Sequence, residues 1–254
     1  CYYPMPRQDL RLFILTIDKH NWIIPATLHQ IEHYWYPAPR VLIAGYERPE
    51  MGNTTLDVDF YSIGDFADFP ADKWSDSLIQ VLADQPDEHF ILFLEDYLLT
   101  RQVDTRAIEL LTQYMLSRPG IARIDLCTDR FYSKNAVEVG HLGHLDLFYS
   151  PADPSTDYRF STQPSIWSKE HLRSLLRPGE TPWQTEANAT DRLNARSDLQ
   201  VIGTRQAPIR HLIAINKGQL DLHGDWQYPK AHLSDHDRTR LLHLFPILKE
   251  KINL

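Results

Sequence analysis

The sequence predicts an α/β protein with a mainly parallel central sheet flanked by helices and a mixed antiparallel second lobe. In the first half, short apolar runs typical of buried strands alternate with segments of helical periodicity, which is the pattern of successive βαβ units. In the second half, apolar runs flank turns such as 151–154, which is typical of antiparallel strands. The halves, 1–128 and 129–254, share no obvious linker, so we expect a single domain.

Five runs of the first half are expected to be strands, because each is apolar and bounded by polar residues or turns. They are residues 11–17, 40–45, 57–63, 89–94 and 121–127. Between them, apolar residues at helical spacing predict helices over 25–35, 75–84 and 105–117. Pro25 suits the first position of a helix, and Asp104 can cap another.

The second half predicts shorter and more varied elements. Strands are expected over residues 145–150, 157–162, 199–203 and 209–215, and helices over 168–176, 182–194 and from 234 onwards. The helix at 182–194 has the clearest start, because Thr181 to Gln184 form a capping-box sequence with proline at the first helical position.

Composition and charge exclude several classes of protein. The formal charge is 26 − 34 = −8, which argues against a general attraction to nucleic acid or to anionic membranes. No apolar run approaches the roughly 20 residues of a membrane span, and the first ten residues do not resemble a signal peptide. We therefore expect a cytoplasmic protein. Two cysteines, Cys1 and Cys127, are too few for a disulfide framework.

Known catalytic signatures are also missing from the sequence. It contains no glycine-rich phosphate loop, nucleophile elbow or kinase motif. The NTP-hydrolase, α/β-hydrolase and classical dinucleotide-dehydrogenase classes therefore lose their main support.

The clearest local feature is the sequence Glu95-Asp96-Tyr97 after the most apolar predicted strand. In open α/β sheets, ligands bind beyond the carboxyl ends of the strands. Two carboxylates at that edge can hold a divalent cation together with substrate phosphates. The alternative is an ordinary pair of loop acids, one of which caps the next segment.

Glu186 is the second feature, because it lies one helical turn after Trp183 in the predicted helix 182–194. A carboxylate beside an aromatic ring on an inward face is suited to act as a general base. A solvated acid favoured by the helix dipole is the alternative.

Three further groups complete the candidate residues. Gln163 and Trp167 lie in a segment between a strand and a helix, where an amide and an aromatic ring can contact a sugar or a base, with ordinary hydrophobic packing of Trp167 as the alternative. Thr16 lies inside the end of the first predicted strand and Asp18 directly follows it, at the same predicted sheet edge, where Asp18 could bind a ribose or a base; turn capping is the alternative for Asp18. His223, in a late loop, is a candidate for metal or phosphate contact, with a solvated loop histidine as the alternative.

Taken in order, these motifs resemble bacterial and viral glycosyltransferases of the GT-A fold, in particular polysaccharide-type sugar transferases with a late W-x-x-E element. The matching sequences are the strand-loop with Thr16 and Asp18, then ILFLEDY, QPSIWSKEHLRSLL and TPWQTE. The resemblance covers roughly residues 11–218. The sequence departs from the family's D-x-D pattern at Tyr97, where the usual third acid is absent.

The resemblance implies a role for each half of the chain. The half 1–128 would bind a nucleotide-diphosphate sugar, most simply a UDP-sugar, with Thr16, Asp18, Glu95, Asp96 and Tyr97 contacting the donor. The half 129–254 would bind the acceptor through Gln163, Trp167 and Trp183, with Glu186 as the general base of an inverting reaction. Mg²⁺ or Mn²⁺ would be held by Glu95, Asp96 and, at greater distance in sequence, His223.

Other functions remain open from the sequence. Viral-type transferases that glycosylate a hydroxymethylated DNA base share this architecture, and four arginines, at 192, 196, 205 and 210, could line a basic groove for DNA. A solvated, salt-bridged surface is the alternative for these arginines. A nucleotidyltransferase also joins an α/β sheet to paired acids, and six tryptophans are compatible with a non-catalytic carbohydrate-binding protein.

Overall fold

The computed structural model describes residues 10–127, 135–227 and 231–252. Its strands are β1 (Leu12–Leu15), β2 (Val41–Gly45), β3 (Val58–Ser62), β4 (His89–Leu94), β5 (Tyr97–Leu99), β6 (Ile121–Asp125), β7 (Val137–Leu142), β8 (Leu145–Ser150), β9 (Ser165–Ser168), β10 (Gln200–Thr204), β11 (His211–Ile213), β12 (Ile215–Asn216) and β13 (Gln219–Leu220). Its α-helices are α1 (Ile24–Tyr34), α2 (Trp74–Asp84), α3 (Thr105–Leu116), α4 (Lys169–Leu175), α5 (Pro182–Asn194), α6 (Asp235–Leu244) and α7 (Ile247–Ile252). No helix in these ranges is long and apolar enough to cross a membrane.

Nine strands form one central sheet in the order β3-β2-β1-β4-β9-β6-β10-β8-β7. Strands β3, β2, β1 and β4 are mutually parallel, and β6 is parallel to β10. Strand β9 is antiparallel to both of its neighbours, β4 and β6. The predicted α/β class with a mainly parallel sheet is therefore confirmed, and the antiparallel part is β8 with its two neighbours.

Helices cover both faces of this sheet because each presents an apolar stripe to it. On one face, α1 and α3 contribute Ile24, Leu28 and Leu111 to a buried cluster with the strand side chains. On the other face, α2, α4 and α5 contribute residues such as Leu82 and Leu193 to a second cluster. A third, smaller cluster joins the C-terminal helices α6 and α7 to the short strands β11 to β13.

One predicted strand of the second half is wrong. Residues 157–162 form no strand, because side chains of α5 take up their backbone donors. Thr190 Oγ1 accepts from the Phe160 amide at 3.1 Å, and Glu186 Oε1 accepts from the Thr162 amide at 2.8 Å. The strand in this region is β9, three residues later, and β7 was not predicted at all.

Two buried arginines hold this irregular segment in place. The guanidinium of Arg159 donates to the carbonyl oxygens of Ser150, Leu193 and Leu199 at 3.1, 2.6 and 2.9 Å. Arg123 Nε donates to Ser165 Oγ at 2.9 Å, at the first residue of β9. Both side chains are fully buried, so their charges are satisfied by the protein and fix the segment that leads into β9.

The C-terminal helix α6 docks on α1 through a compact polar cluster. Tyr34 Oη donates to Asp237 Oδ2 at 2.5 Å, and Arg240 Nη2 donates to Asp237 Oδ1 at 2.7 Å. Arg240 Nη1 lies 3.0 Å from His33 Nε2, so the unprotonated imidazole accepts from the guanidinium. Burial first, and the Arg240 charge second, lower the pKa of both His29 and His33.

This cluster predicts that acid weakens the docking of α6. A histidine whose pKa is lowered by folding contributes stability above its unfolded value of about 6.5, and that stability is lost as pH falls through the folded pKa. The wild type loses this stability as the pH is lowered from 8 to 5.5, whereas the His29→Gln/His33→Gln double variant does not. We therefore expect the melting temperature of the variant, relative to that of wild type, to be higher at pH 5.5 than at pH 8. Thermal unfolding of both proteins at the two pH values checks this expectation.

His243→Gln is the matched control, because His243 is an exposed histidine of α6, the helix that packs on α1. We expect this variant to follow wild type at both pH values. An equal change in the control and in the double variant would show that the pH response does not come from the α1–α6 cluster.

Candidate functional site

The site is defined by where the strand order changes direction. From β1, the chain adds β2 and β3 on one side and then β4 on the other. The carboxyl ends of β1 and β4 therefore flank the crevice where ligands of open α/β sheets bind. Because β9 is antiparallel to β4, its amino end lies at this same edge.

Thr16 and Asp18 lie at the end of β1 and are held in a polar network. Asp18 Oδ1 accepts from the Glu47 amide at 3.1 Å and from Asn21 Nδ2 at 3.3 Å. Thr16 Oγ1 donates to Asn21 Oδ1 at 3.0 Å. Asp18 thus ties the end of β1 to the end of β2. This contact is the turn-capping role that competes with the predicted donor contact.

A cleft opens beside Thr16 at the carboxyl ends of β1, β2 and β3. It is lined by Leu15, Thr16, Ile17, Ala44, Tyr46, Ile63, Trp74, Ser77, Leu78 and Val81. The lining is mainly apolar and includes two aromatic rings. The free space between these side chains is about that of one water molecule, so the lining is an apolar and aromatic surface rather than a formed ligand cavity.

The Glu95 carboxylate is held by the loop that follows β1. Its Oε1 lies 2.6 Å from His20 Nδ1, across the crevice between β4 and β1. Its backbone oxygen accepts from Thr27 Oγ1 of α1 at 2.5 Å. The Glu95 residue is 8% exposed, so this contact is shielded from water.

The Asp96 carboxylate is committed to the opposite side of the crevice. Its Oδ2 accepts from the Ile215 amide at 3.0 Å, and its backbone oxygen accepts from the Ala214 amide at 2.9 Å. Burial, together with the nearby Glu95 charge, raises the pKa of Asp96 to about 7. This shift is that of a carboxyl group forced into a low-dielectric site beside a like charge.

The predicted metal ligands do not come together as a set. Among residues 10–127, 135–227 and 231–252, no group of three His, Cys, Asp or Glu side chains could hold a metal ion. His223 contacts Arg238 instead, with Nδ1 lying 3.3 Å from Nη1. Glu95 and Asp96 each use an oxygen to hold a neighbouring loop. These residues therefore do not fit a cation bound by the protein alone.

Glu186 is connected through Thr162 to the turn Glu95-Asp96-Tyr97, here called the acid turn. Thr162 donates to Glu186 Oε1 from both its amide and its hydroxyl, at 2.8 and 2.9 Å. The Thr162 carbonyl accepts from Tyr97 Oη at 3.3 Å. Burial raises the pKa of Tyr97 well above its usual value, and the charges of Asp96 and Glu186 raise it further. The structure thus brings Glu186 close to the Glu95-Asp96-Tyr97 turn.

The aromatic residues divide into core and surface. Trp167 is fully buried and packs 5.1 Å from the Phe160 ring, so the prediction that it lines a cleft is wrong. Tyr97 is also buried, so it connects parts of the site rather than facing a donor. Trp183 is 78% exposed on the first turn of α5, one turn before Glu186.

The four arginines considered for a basic groove are mostly paired with acids. Arg192 binds Glu180 at 2.8 Å, and Arg196 binds Asp198 at 2.6 Å. Arg205 Nη2 lies 3.6 Å from Glu138 Oε2, and Arg205 Nε lies 3.6 Å from Asp146 Oδ2. Their charges are largely compensated, so the structure gives the DNA-acceptor alternative no support.

Two histidines of the site were missed by the sequence analysis. His20 lies in the polar loop after β1, and the only sequence signal for it was its position after a strand, at the edge of the sheet where ligands bind. His211 is 5% exposed, and its Nε2 lies 2.9 Å from Gln163 Oε1. A histidine inside the apolar run IRHLIAI was a stronger signal, because a buried polar side chain needs a partner.

Comparison with solved structures gives distant likenesses, of which two are described here. No family model matches the chain. No curated protein matches it. A CMP:2-keto-3-deoxy-manno-octonic acid synthetase complexed with CTP aligns at 13% identity and a TM-score of 0.41, over 76% of this chain and 88% of that one. A mycobacterial protein aligns at 9% identity and a TM-score of 0.43, over 78% of this chain and 65% of that one. Likenesses this weak carry no conclusion about function.

The buried acid pair predicts a variant that is more stable than the wild type. A carboxyl group whose pKa is raised by folding contributes stability at low pH that is lost as pH rises toward about 7. Asp96→Asn removes the charge but keeps an oxygen to accept from the Ile215 amide. We therefore expect a higher melting temperature than wild type at pH 8 and a much smaller gain at pH 5.

Thermal unfolding of Asp96→Asn at the two pH values, beside the exposed control Asp57→Asn, checks this expectation. A variant that is destabilised equally at both pH values would contradict it.

Proposed function

We propose that the protein transfers a sugar from a nucleotide-diphosphate sugar, most simply a UDP-sugar, to an acceptor hydroxyl. One observation carries the proposal. Glu186, from the second half, is held by Thr162 beside the Glu95-Asp96-Tyr97 turn, which lies at the switch point of the sheet. A carboxylate from one half would thus face the ligand crevice of the other half.

The donor would bind along the carboxyl ends of β1, β2 and β4. The nucleobase would lie at the sheet edge near Thr16, Tyr46 and Trp74, which offer apolar and aromatic side chains. The hollow between them has room for about one water molecule, so these side chains would have to move apart to admit a base. The diphosphate would then extend past the ends of β1 and β4, toward Glu95 and Asp96. This placement leaves the sugar between the acid turn and Glu186.

Glu186 would act as the general base for the acceptor. Its Oε1 is fixed by two donated hydrogen bonds from Thr162, so the carboxylate has a defined direction. In the reaction, the carboxylate removes the hydroxyl proton as the acceptor oxygen attacks the anomeric carbon. The bond from that carbon to the phosphate oxygen breaks, and the nucleoside diphosphate leaves with the electron pair. A single displacement of this kind inverts the anomeric centre.

No step of this reaction uses a metal ion held by the protein, since the carboxylates do not form a cation site by themselves. The acids instead hold the two loops that border the crevice, at His20 and at Ile215. A cation that arrives bound to the diphosphate is a separate case, which the ligand experiment distinguishes.

The donor site predicts selective stabilisation by a nucleotide. We expect millimolar UDP or UDP-glucose to raise the melting temperature by about 5 °C or more, because a ligand that binds only the folded state stabilises it. Thermal shift with UDP, CDP, GDP and ADP, in EDTA or in MnCl₂, checks this. A rise confined to MnCl₂ would mean that the cation enters with the nucleotide.

Uridine and inorganic pyrophosphate are the control ligands, since each carries only part of the donor. The absence of a shift with all four nucleoside diphosphates would contradict the proposal. Release of pyrophosphate from a nucleoside triphosphate, with no release of nucleoside diphosphate from a nucleotide sugar, would identify a nucleotidyltransferase instead.

The base assignment predicts a large effect of one isosteric change. Glu186→Gln is expected to lower turnover of a nucleotide sugar by about 10²-fold or more while leaving nucleotide binding nearly intact, because a general base contributes about that factor. Release of nucleoside diphosphate measures turnover. Glu170→Gln is the matched control, since Glu170 is an exposed acid at the start of α4. Near-normal turnover in Glu186→Gln would refute the assignment.

A further inference from the structure

Gln163, just before β9, has hydrogen-bond partners for three of its four polar groups. Its amide donates to Ser161 Oγ at 3.1 Å, and its carbonyl accepts from Ser165 Oγ at 2.8 Å. Its side-chain Oε1 lies 2.9 Å from His211 Nε2. Within the part of the chain that the structure describes, the fourth group, Nε2, has no hydrogen-bond partner. The residue as a whole is partly exposed.

The orientation of the Gln163 amide is coupled to the tautomer of His211. In the structure the amide oxygen faces His211 Nε2, and because an amide oxygen can only accept, this orientation requires the tautomer protonated at Nε2. If the amide were flipped, its NH₂ group would face that N–H, and two donors would oppose each other. The NH₂ group of Gln163 therefore points away from His211.

The imidazole of His211 is itself held on several sides. Its ring packs 4.6 Å from the ring of Tyr97. Its backbone oxygen accepts from Gln227 Nε2 at 3.2 Å, and its strand β11 pairs with β5. Because the residue is buried and its backbone is fixed on both sides, the ring provides a rigid support for the amide.

We propose that His211 is a positioning residue that turns the Gln163 amide so that its NH₂ group donates to an oxygen of the nucleotide-sugar donor. The inference rests on the proposed function, because it takes the crevice beside Glu186 as the donor site. Gln163 directly follows Thr162, which holds the Glu186 carboxylate. The donated hydrogen bond therefore falls next to the position assigned to the sugar and its diphosphate.

A direct measurement of the His211 tautomer tests the orientation without any ligand. We expect nitrogen NMR of the wild-type protein at pH 7.5 to show His211 protonated at Nε2. Protonation at Nδ1 only, with Nε2 accepting from the amide, would turn the Gln163 NH₂ group toward His211 and overturn the proposal.

Calorimetric titration with UDP-glucose tests the contact with the donor. Gln163→Leu keeps a side chain of similar size but lacks the N–H donor, and one neutral hydrogen bond corresponds to a loss of about 3- to 10-fold in affinity. Gln113→Leu, at an exposed position of α3, is the matched control. Equal affinity of wild type and Gln163→Leu would overturn the proposal. Failure of the wild type itself to bind any nucleotide sugar would contradict the proposed function instead.

Gln163→Glu distinguishes the two kinds of donor oxygen. A sugar hydroxyl can reverse its hydrogen bond and donate to the new carboxylate, so affinity would fall less than in Gln163→Leu. A phosphate oxygen only accepts and is negatively charged, so affinity for both UDP and UDP-glucose would fall further than in Gln163→Leu. Either result supports the proposal and names the oxygen.

A double-mutant cycle tests whether His211 acts through Gln163. His211→Phe keeps an aromatic ring beside Tyr97 but removes the N–H. We expect it to weaken UDP-glucose binding by about 2- to 3-fold in the wild type, less than a full hydrogen bond, and to have no further effect in Gln163→Leu. An equal effect in both backgrounds would mean that His211 does not act by orienting the amide, and would overturn its positioning role.

Discussion

The antiparallel insertion of β9 between β4 and β6 is the constraint on which the rest of the site depends. A parallel strand in that position would deliver its own carboxyl end to the ligand edge of the sheet. Because β9 runs the other way, the segment before it, with Thr162 and Gln163, arrives at that edge. Helix α5 then packs along this segment through Glu186, Thr190 and hydrogen bonds to its backbone. The second half of the chain thereby supplies polar groups to a crevice formed by the first half.

The acid turn has a thermodynamic cost that its surroundings must offset. Asp96 is nearly buried beside Glu95, which is why its pKa is raised to about 7. Each carboxylate also secures a loop, Glu95 through His20 and Asp96 through Ile215. Retaining two like-charged groups in a buried turn is characteristic of sites where function, rather than stability, dictates the residues. The folded state compensates with the large apolar clusters on both faces of the sheet.

Much of the fold could be predicted from the sequence, because most strands of the central sheet are continuous apolar runs. The run 89–94 corresponds to β4, and the capping box at Thr181 begins α5 as expected. Strand β9 was not predictable in the same way. Its four residues, SIWS, are short and polar at both ends, and its pairing depends on contacts with β4 and β6 that are distant in sequence. The segment 157–162 looks extended, but its hydrogen bonds go to side chains of α5.

In the candidate site, too, some features could be predicted from the sequence and others depend on contacts between remote parts of the chain. Position after a strand was enough to single out Thr16, Asp18 and the acid pair, since parallel strands bring their carboxyl ends together. The direction of a side chain could not be predicted from the sequence. Trp167 is therefore buried where a cleft residue was expected, and His223 contacts Arg238 where a metal ligand was expected. His20 and His211, the partners of Glu95 and Gln163, come from remote parts of the chain. The apolar run around His211 indicates that this histidine needs a partner, but no local pattern says which residue that partner is.

Hydrogen exchange with and without UDP-glucose tests the central claim most directly, because it localises the ligand along the chain. If the two halves form one donor site, the ligand will slow amide exchange both in residues 16–22 and 95–97 of the first half and in residues 160–163 of the second. Protection confined to one half, or protection that avoids the acid turn while the nucleotide sugar is bound, would contradict a single site assembled by β9.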